Sequence, residues 1–167
     1  MMGPWLIYAS LINNASMALY GGNPGSAEFC RFVERAGVTM LGVVPSLVRA
    51  WRRHESIEGC DWSAIRAFSS TGECSLPQDM FYLMSRAGFR PVIEYCGGTE
   101  LGGGYLTSCV VVPSSPGVFT MPTMGMDHLL LDADGQPTDS GEAFLVPPSI
   151  GMSTTLLNRD HDEAYFL

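Results

Sequence analysis

The chain contains no lysine. All nine of its basic residues are arginines, at positions 31, 35, 49, 52, 53, 66, 86, 90 and 159. Within this chain that excludes Schiff-base catalysis, a phosphate-loop lysine and a lysine general base. Charge of either sign is scarce, 16% of residues against the usual quarter, while hydrophobic residues make up 46%. Such a chain can bury a sizeable core and is not intrinsically disordered. No apolar run approaches the roughly 18–20 residues of a membrane span. The opening MMGPWLIYASLINNASMALY is the most apolar stretch, but it lacks a basic leader and is broken by Asn13 and Asn14, so no signal peptide is expected. Five cysteines (30, 60, 74, 96 and 109) make no C-x-x-C pair and are odd in number, which points to free thiols in a reducing, cytoplasmic setting. Zinc is not expected, because His54, His128 and His161 have no ligand-spaced partners. Internal repeats are absent.

The net charge of −8 is uneven. Residues 1–126 carry nine acids against eight arginines, whereas residues 127–167 carry eight acids against Arg159 alone. An acidic tail of this kind repels nucleic acid and anionic membrane, and a solvated acidic face needs no partner.

The first half alternates in the manner of strand–helix units. Leu6–Leu11 reads as a buried helix and Ser16–Tyr20 as a short strand ended by the turn GGNPG. Ser26 is a candidate N-cap for a helix bearing Phe29, Phe32, Val33 and Ala36, with Gly37 as its stop. Val38–Val44 reads as a strand, and Pro45-Ser46 opens a helix carrying Leu47, Val48 and Trp51, with Arg49, Arg52 and Arg53 expected on its solvated face. Ile65–Ser69 is a further strand, Pro77 begins a helix through Phe81, Leu83 and Met84, and Arg90–Tyr95 is the next strand. This order predicts an α/β fold with a parallel sheet and crossover helices over about residues 1–104. From about 105 to 167 the texture changes to short apolar runs, Cys109–Val112, His128–Leu131 and Glu142–Val146, separated by turns. They predict a β-rich, antiparallel segment. Asp132-Ala133-Asp134-Gly135-Gln136-Pro137 reads as a hairpin turn, since it lacks the sixth-position glycine and the closing bidentate glutamate of a calcium loop.

Ligands of open parallel sheets bind at the carboxyl ends of the strands, and two glycine-containing turns fall at such ends. One is Ser69-Ser70-Thr71-Gly72-Glu73-Cys74; the other is Tyr95-Cys96-Gly97-Gly98-Thr99-Glu100, followed by Leu101 and three more glycines. In the second, glycines allow close approach to phosphate oxygens, a threonine hydroxyl can donate to one, and a glutamate can hold Mg²⁺. A flexible bend, or an ordinary turn before the helix at Pro77, would use the same residue types. Together the two turns favour a nucleotide cleft.

These residues resemble the adenylate-forming superfamily, specifically the acetyl-CoA-synthetase-like, AMP-forming acyl-CoA synthetases and the acyl-activating enzymes of plants. Cys96-Gly97-Gly98-Thr99-Glu100 is similar to the Tyr-Gly-x-Thr-Glu motif of that family, and Thr71-Gly72-Glu73-Cys74 to its Gly-Glu-Pro turn. Val44-Pro45-Ser46 with Arg49, the opening Met1-Met2-Gly3-Pro4-Trp5, and the run from Asn158 to Phe166 carry the likeness across nearly the whole chain. The resemblance implies ATP, Mg²⁺ and CoA, with a small-molecule carboxylic acid as substrate. It places Thr99 and Glu100 in catalysis, Glu100 on the metal, and Gly72, Glu73, Cys74, Glu94, Tyr95, Cys96, Gly97, Gly98 and Thr99 around the nucleotide and acyl group. Trp5 is given no role and is expected in the core.

Departures from the pattern are informative. Cys96 stands where the family has an aromatic that packs on adenine, and Cys74 replaces a proline. Gly97 takes the place of a tryptophan that closes the pocket in acetyl-specific relatives, so medium or branched acids are expected, with Met1 and Met2 facing the same space. The lysine-bearing phosphate loop, the ribose aspartate and the mobile C-terminal domain are expected outside residues 1–167. The chain thus reads as a central fragment of the large N-terminal domain, inactive alone; the alternative is a standalone nucleotide- or acyl-binding module without catalysis.

Overall fold

The computed structural model describes residues 2–149 and 151–166, without the side chains of Met2 and Phe166. Two compact units emerge. One comprises residues 2–96 and 106–121, and the other residues 97–105 and 122–167. No helix among the described residues is long and apolar enough to cross a membrane.

The larger unit begins with α1 (Met2–Ile12), followed by α2 (Ala27–Arg35), β1 (Met40–Val43), α3 (Pro45–Arg53), β2 (Ala67–Ser70), α4 (Pro77–Ser85) and β3 (Val92–Gly98), whose last two residues pass into the other unit. Strands β1, β2 and β3 pair in parallel, with Leu41 beside Phe68 and Phe68 beside Val92. Parallel pairing requires a crossover between strands, and α3 and α4 supply it.

Each helix starts where local chemistry favours it. Ser26 Oγ accepts the Phe29 N–H at 3.3 Å and caps α2. Pro45 and Pro77 open α3 and α4, where a fixed φ is already helical and the missing N–H is not needed. Neither of these two has a side-chain cap from its own preceding residue.

The core is a continuous cluster of Cys30, Val33, Leu41, Val43, Val48, Trp51, Ile57, Trp62, Ile65, Phe68, Met80, Leu83, Ala87 and Val92. Aromatic rings run through it: Phe29 stacks on Trp51 at 5.8 Å, and Trp51 meets Trp62 edge-on at 5.7 Å. Buried indoles need acceptors. Trp51 donates to the Pro24 carbonyl at 2.8 Å and Trp62 to that of Cys30 at 3.0 Å. Burial pushes the Cys30 thiol up to about 12.

In the smaller unit β4 (Gly103–Thr107), which ends in the larger one, is followed by β5 (Met121–Pro122), β6 (Asp127–Leu131), β7 (Glu142–Val146) and the short α5 (His161–Phe166). Strands β6 and β7 form an antiparallel hairpin, with Leu129 opposite Phe144. Asp132 Oδ1 accepts the N–H groups of Asp134 and Gln136, which closes the expected turn.

Three local expectations change. Helix α1 forms, but it is not buried: Trp5, Leu6, Ile7, Tyr8, Leu11 and Ile12 are all exposed, Trp5 by 45%. Residues 16–20 form no strand, because Tyr20 is drawn onto α2, its ring 5.2 Å from Phe29 and 5.1 Å from Phe32. Cys109–Val112 is a turn rather than a strand, with Val111 85% exposed. The β-branched run ahead of Pro113 has the propensity for a strand but no neighbour to pair with, and pairing decides. Arg49 and Arg52 lie on the solvated face of α3, as expected, and from there both also reach Asp79 on α4.

Candidate functional site

In the larger unit the chain leaves β2 at Ser70 and turns through Thr71–Leu76 before α4. Gly72 has φ +89°, a left-handed value that glycine adopts without strain. Glu73 then reaches back to α3. Its carboxylate accepts the Ser46 N–H at 3.2 Å and the Ser46 hydroxyl at 2.6 Å. An anion at this position supplies the cap that Val44 cannot, and it complements the helix dipole. The exposed Cys74 follows.

Strand β3 runs beside this turn. Glu94 is only 4% exposed, and its carboxylate accepts from Ser75 Oγ at 2.8 Å and from the Gly117 N–H at 3.0 Å. Ser75 also bonds Ser70 at 2.9 Å. The Glu94 backbone is gripped as well, donating to Ser108 Oγ at 2.8 Å and accepting the Ser108 N–H at 2.7 Å. A buried carboxylate costs free energy unless hydrogen-bonded; here it ties the turn after β2 to the loop around Gly117. Tyr95 hydrogen-bonds the Thr71 side chain, and burial holds its hydroxyl above the usual phenol value. Gly72, Glu73, Cys74, Glu94, Tyr95 and Cys96 are therefore gathered on one turn and the adjoining strand. Ser75, Ser108 and Gly117, which hold Glu94, left no local signal in the sequence.

In the smaller unit the chain runs from Gly97 through Gly98 into a single 3₁₀ turn, Thr99–Leu101, closed by Gly102 at φ +64°. Thr99 and Glu100 are both exposed. The Glu100 carboxylate folds back over Gly98, where a Cβ would lie 2.7 Å from Oε2. Gly97 lies against β4: a Cβ there would fall on the Gly103 carbonyl oxygen and 2.6 Å from Gly104 Cα. The open space expected at Gly97 is therefore occupied by backbone. Met1 and the Met2 side chain, expected to face the same space, lie outside the described residues.

Behind the turn lies the 151–153 segment. Ser153 N–H donates to the Glu100 carbonyl at 2.9 Å. A Cβ on Gly102 would sit 3.2 Å from the Gly151 carbonyl oxygen, so these segments touch backbone to backbone. His161, at the start of α5, places Nε2 2.6 Å from the Ser153 carbonyl and Nδ1 3.1 Å from the Asp162 carboxylate.

Among the described residues no cluster of three or more His, Cys, Asp or Glu side chains could hold a metal ion unaided. Magnesium does not need one, since it ordinarily takes one or two carboxylates and completes its shell with phosphate oxygens and water. A single exposed glutamate beside a threonine hydroxyl fits that demand.

No family model matches the chain. The "Probable acyl-activating enzyme 17, peroxisomal" of Arabidopsis thaliana is 48% identical over 171 residues, covering 99% of this chain and 24% of that protein. A hexanoyl-CoA synthase of Cannabis sativa is also 48% identical over 171 residues, with the same coverage of 99% and 24%. Among solved structures, the acetoacetyl-CoA synthetase of Streptomyces lividans superimposes with a TM-score of 0.71 at 27% identity, over 80% of this chain and 22% of that one. The mixed α/β fold is that of adenylate-forming CoA ligases. The chain is homologous, over nearly its whole length, to part of the acyl-activating enzymes and acyl-CoA synthases. It spans about a quarter of the length of the curated relatives it matches.

Proposed function

We propose that the chain is part of an ATP-dependent, AMP-forming acyl-CoA synthetase. The observation that carries this reading is 48% identity across 99% of the chain to an acyl-activating enzyme and a hexanoyl-CoA synthase. In the first half-reaction a carboxylate oxygen attacks the α-phosphorus of ATP; a C–O–P linkage forms and the bond to pyrophosphate breaks. In the second, the CoA thiol attacks the acyl carbonyl, loses its proton, and expels AMP to leave the thioester.

Negative charge must be held in place on phosphate oxygens during the first step, so catalysis there is electrostatic and positional. Thr99 would donate its hydroxyl to a phosphate oxygen, and Glu100 would hold Mg²⁺, which neutralises phosphate charge. Gly72, Glu73 and Cys74, with Glu94 through Gly98, would shape the nucleotide and acyl cleft. Glu73 acts by capping α3 and Glu94 by fixing the turn through Ser75. Residues 1–104 would form the nucleotide- and acyl-binding part and residues 105–167 the β-rich part. The hexanoyl-CoA synthase among the relatives supports a medium-chain acid; the glycine at 97 no longer does, since its space is filled. Free thiols at all five cysteines support a reducing compartment, which we take to be the cytoplasm.

The decisive experiment is acid-dependent pyrophosphate release from the longer gene product containing this segment. Wild type should respond to hexanoate, and Glu100→Gln should lose activity while unfolding within about 0.5 kcal/mol of wild type, as expected for an exposed side chain. Absence of acid-dependent release from the wild type would overturn the assignment. The 167-residue chain alone should stay at background.

A further inference from the structure

The turn that carries Thr99 and Glu100 does not stand by itself. Its Glu100 carbonyl is held by the Ser153 N–H at 2.9 Å, and Ser153 is held in turn through its own carbonyl by His161 Nε2 at 2.6 Å. One residue therefore separates an imidazole from the proposed metal-binding turn. The contact is pressed close by the glycine pair, with Gly151 packed on the Leu101 carbonyl oxygen and on Gly102.

Both nitrogens of the ring face acceptor oxygens. A carbonyl oxygen can only accept, so Nε2 must carry a proton to bond Ser153. Nδ1 lies 3.1 Å from Asp162 Oδ1, and an ionised carboxylate also only accepts, so Nδ1 must carry one as well. Neutral imidazole has a single N–H and can satisfy one of these partners, not both. The doubly protonated form satisfies both partners at once. The side chain is 16% exposed.

We propose that His161, as imidazolium, is a positioning residue for the Thr99–Leu101 turn, holding the 151–153 segment on which Glu100 rests. This inference depends on the reading above only for what Glu100 does once positioned. Groups facing the ring include Asp162, Asp160 and the Tyr165 ring on its own helix, and the Ser153 carbonyl from the 151–153 segment. The hydrogen bond to Asp162 is the main reason the imidazole is held above the ordinary histidine value, with Ser153 and Asp160 acting in the same direction and burial opposing them. A raised value means the charged form dominates at and below about pH 6.5 and is lost as pH rises through the folded midpoint. Positioning should therefore weaken on the alkaline side.

The test is a pH titration of this chain by NMR. Long-range proton–nitrogen spectra should show both His161 ring nitrogens protonated at low pH, with a midpoint above about 6.5. The Ser153 and Leu101 amides, which flank the bridging hydrogen bond, should shift with that same midpoint. Asp162→Asn should move all three downward together. His161→Gln, which keeps one donor but cannot ionise, should abolish the inflection at both amides. In the longer enzyme the alkaline limb of pyrophosphate release should follow the wild-type midpoint and flatten in His161→Gln. Wild-type amides that show no inflection at the His161 midpoint would overturn the proposal before any variant is made, as would the same inflection persisting in His161→Gln. Coupled amides together with an unaffected Glu100→Gln enzyme would uphold the positioning role and remove the metal role from Glu100.

Discussion

Arg49 and Arg52 hold a carboxylate that scarcely meets water, and the two ways of breaking that arrangement differ in cost. The Asp79 side chain is 4% exposed, whereas those of Arg49 and Arg52 are 54% and 47% exposed, at 3.2 and 2.8 Å from it. Asp79→Asn removes the charge and frees two guanidiniums that water can solvate. Charge-assisted hydrogen bonds contribute about 1.5–3 kcal/mol, and half-exposed partners reduce the loss here to about 1 kcal/mol. Replacing both arginines by alanine strands the carboxylate instead. Stripping a buried charge of its partner costs about 3–5 kcal/mol, which nearby water reduces to about 2–3 kcal/mol. The distinguishing outcome is a sign: adding Asp79→Asn to the double-arginine variant should restore about 1 kcal/mol, because the stranded charge is gone. In a chain of this size that is about 2–4 °C in Tm. Unfolding can be followed by the fluorescence of Trp51, on α3, and Trp62, since both indoles lie in the core. A triple variant no more stable than the double would show that shape, not charge, holds Asp79.

Three further outcomes follow from separate features. Glu73→Gln should cost about 1 kcal/mol in urea unfolding, and Ser46→Ala in the same background should add little, because both act on one cap; full additivity would refute the capping role. Gly97→Ala should destabilise by about 1–3 kcal/mol through its clash with Gly103 and Gly104, and an unchanged Tm would show that β4 yields freely. Alkylation at about pH 9 should modify the exposed Cys74 rapidly and spare Cys30, which is buried and pushed up to about 12, until the chain is unfolded. Cys30 labelling in the native chain would contradict its burial.

Features set by neighbours in the chain were legible in the sequence. Ser26, Pro45 and Pro77 mark helix starts by local hydrogen bonding and fixed φ, and the strand–helix alternation gives the parallel sheet. The hairpin of β6 and β7 follows from alternation around a turn. What escaped is non-local. Glu73 finds Ser46 across 27 residues, Asp79 finds Arg49 across 30, and Gly117 finds Glu94 across 23. No pattern of residue types announces such pairs, least of all when one partner is a backbone N–H. His161 has no metal-ligand spacing to mark it, and the partner it does find is a carbonyl, which every residue has. Residues 16–20 and 109–112 have strand propensity but no edge to join, and propensity alone does not fold a strand.

Helix α1 has practical weight at the bench. An eleven-residue helix that shows water Trp5, Leu6, Ile7, Tyr8, Leu11 and Ile12 is close to the shortest that persists unaided. Such a helix should fray in dilute solution, and pairing of its exposed side chains at high concentration should raise apparent size and helix content together. Fatty acids and acyl-CoAs are amphiphiles, and they will adsorb to such a row of side chains as a detergent does. A calorimetric or fluorescence titration of the chain with these compounds will then record partitioning onto α1 as though a pocket had filled. Such adsorption has no defined stoichiometry and strengthens with each methylene of the tail, whether or not the proposed site accepts the acid. A version of the chain without residues 2–12 is the control that separates the two signals.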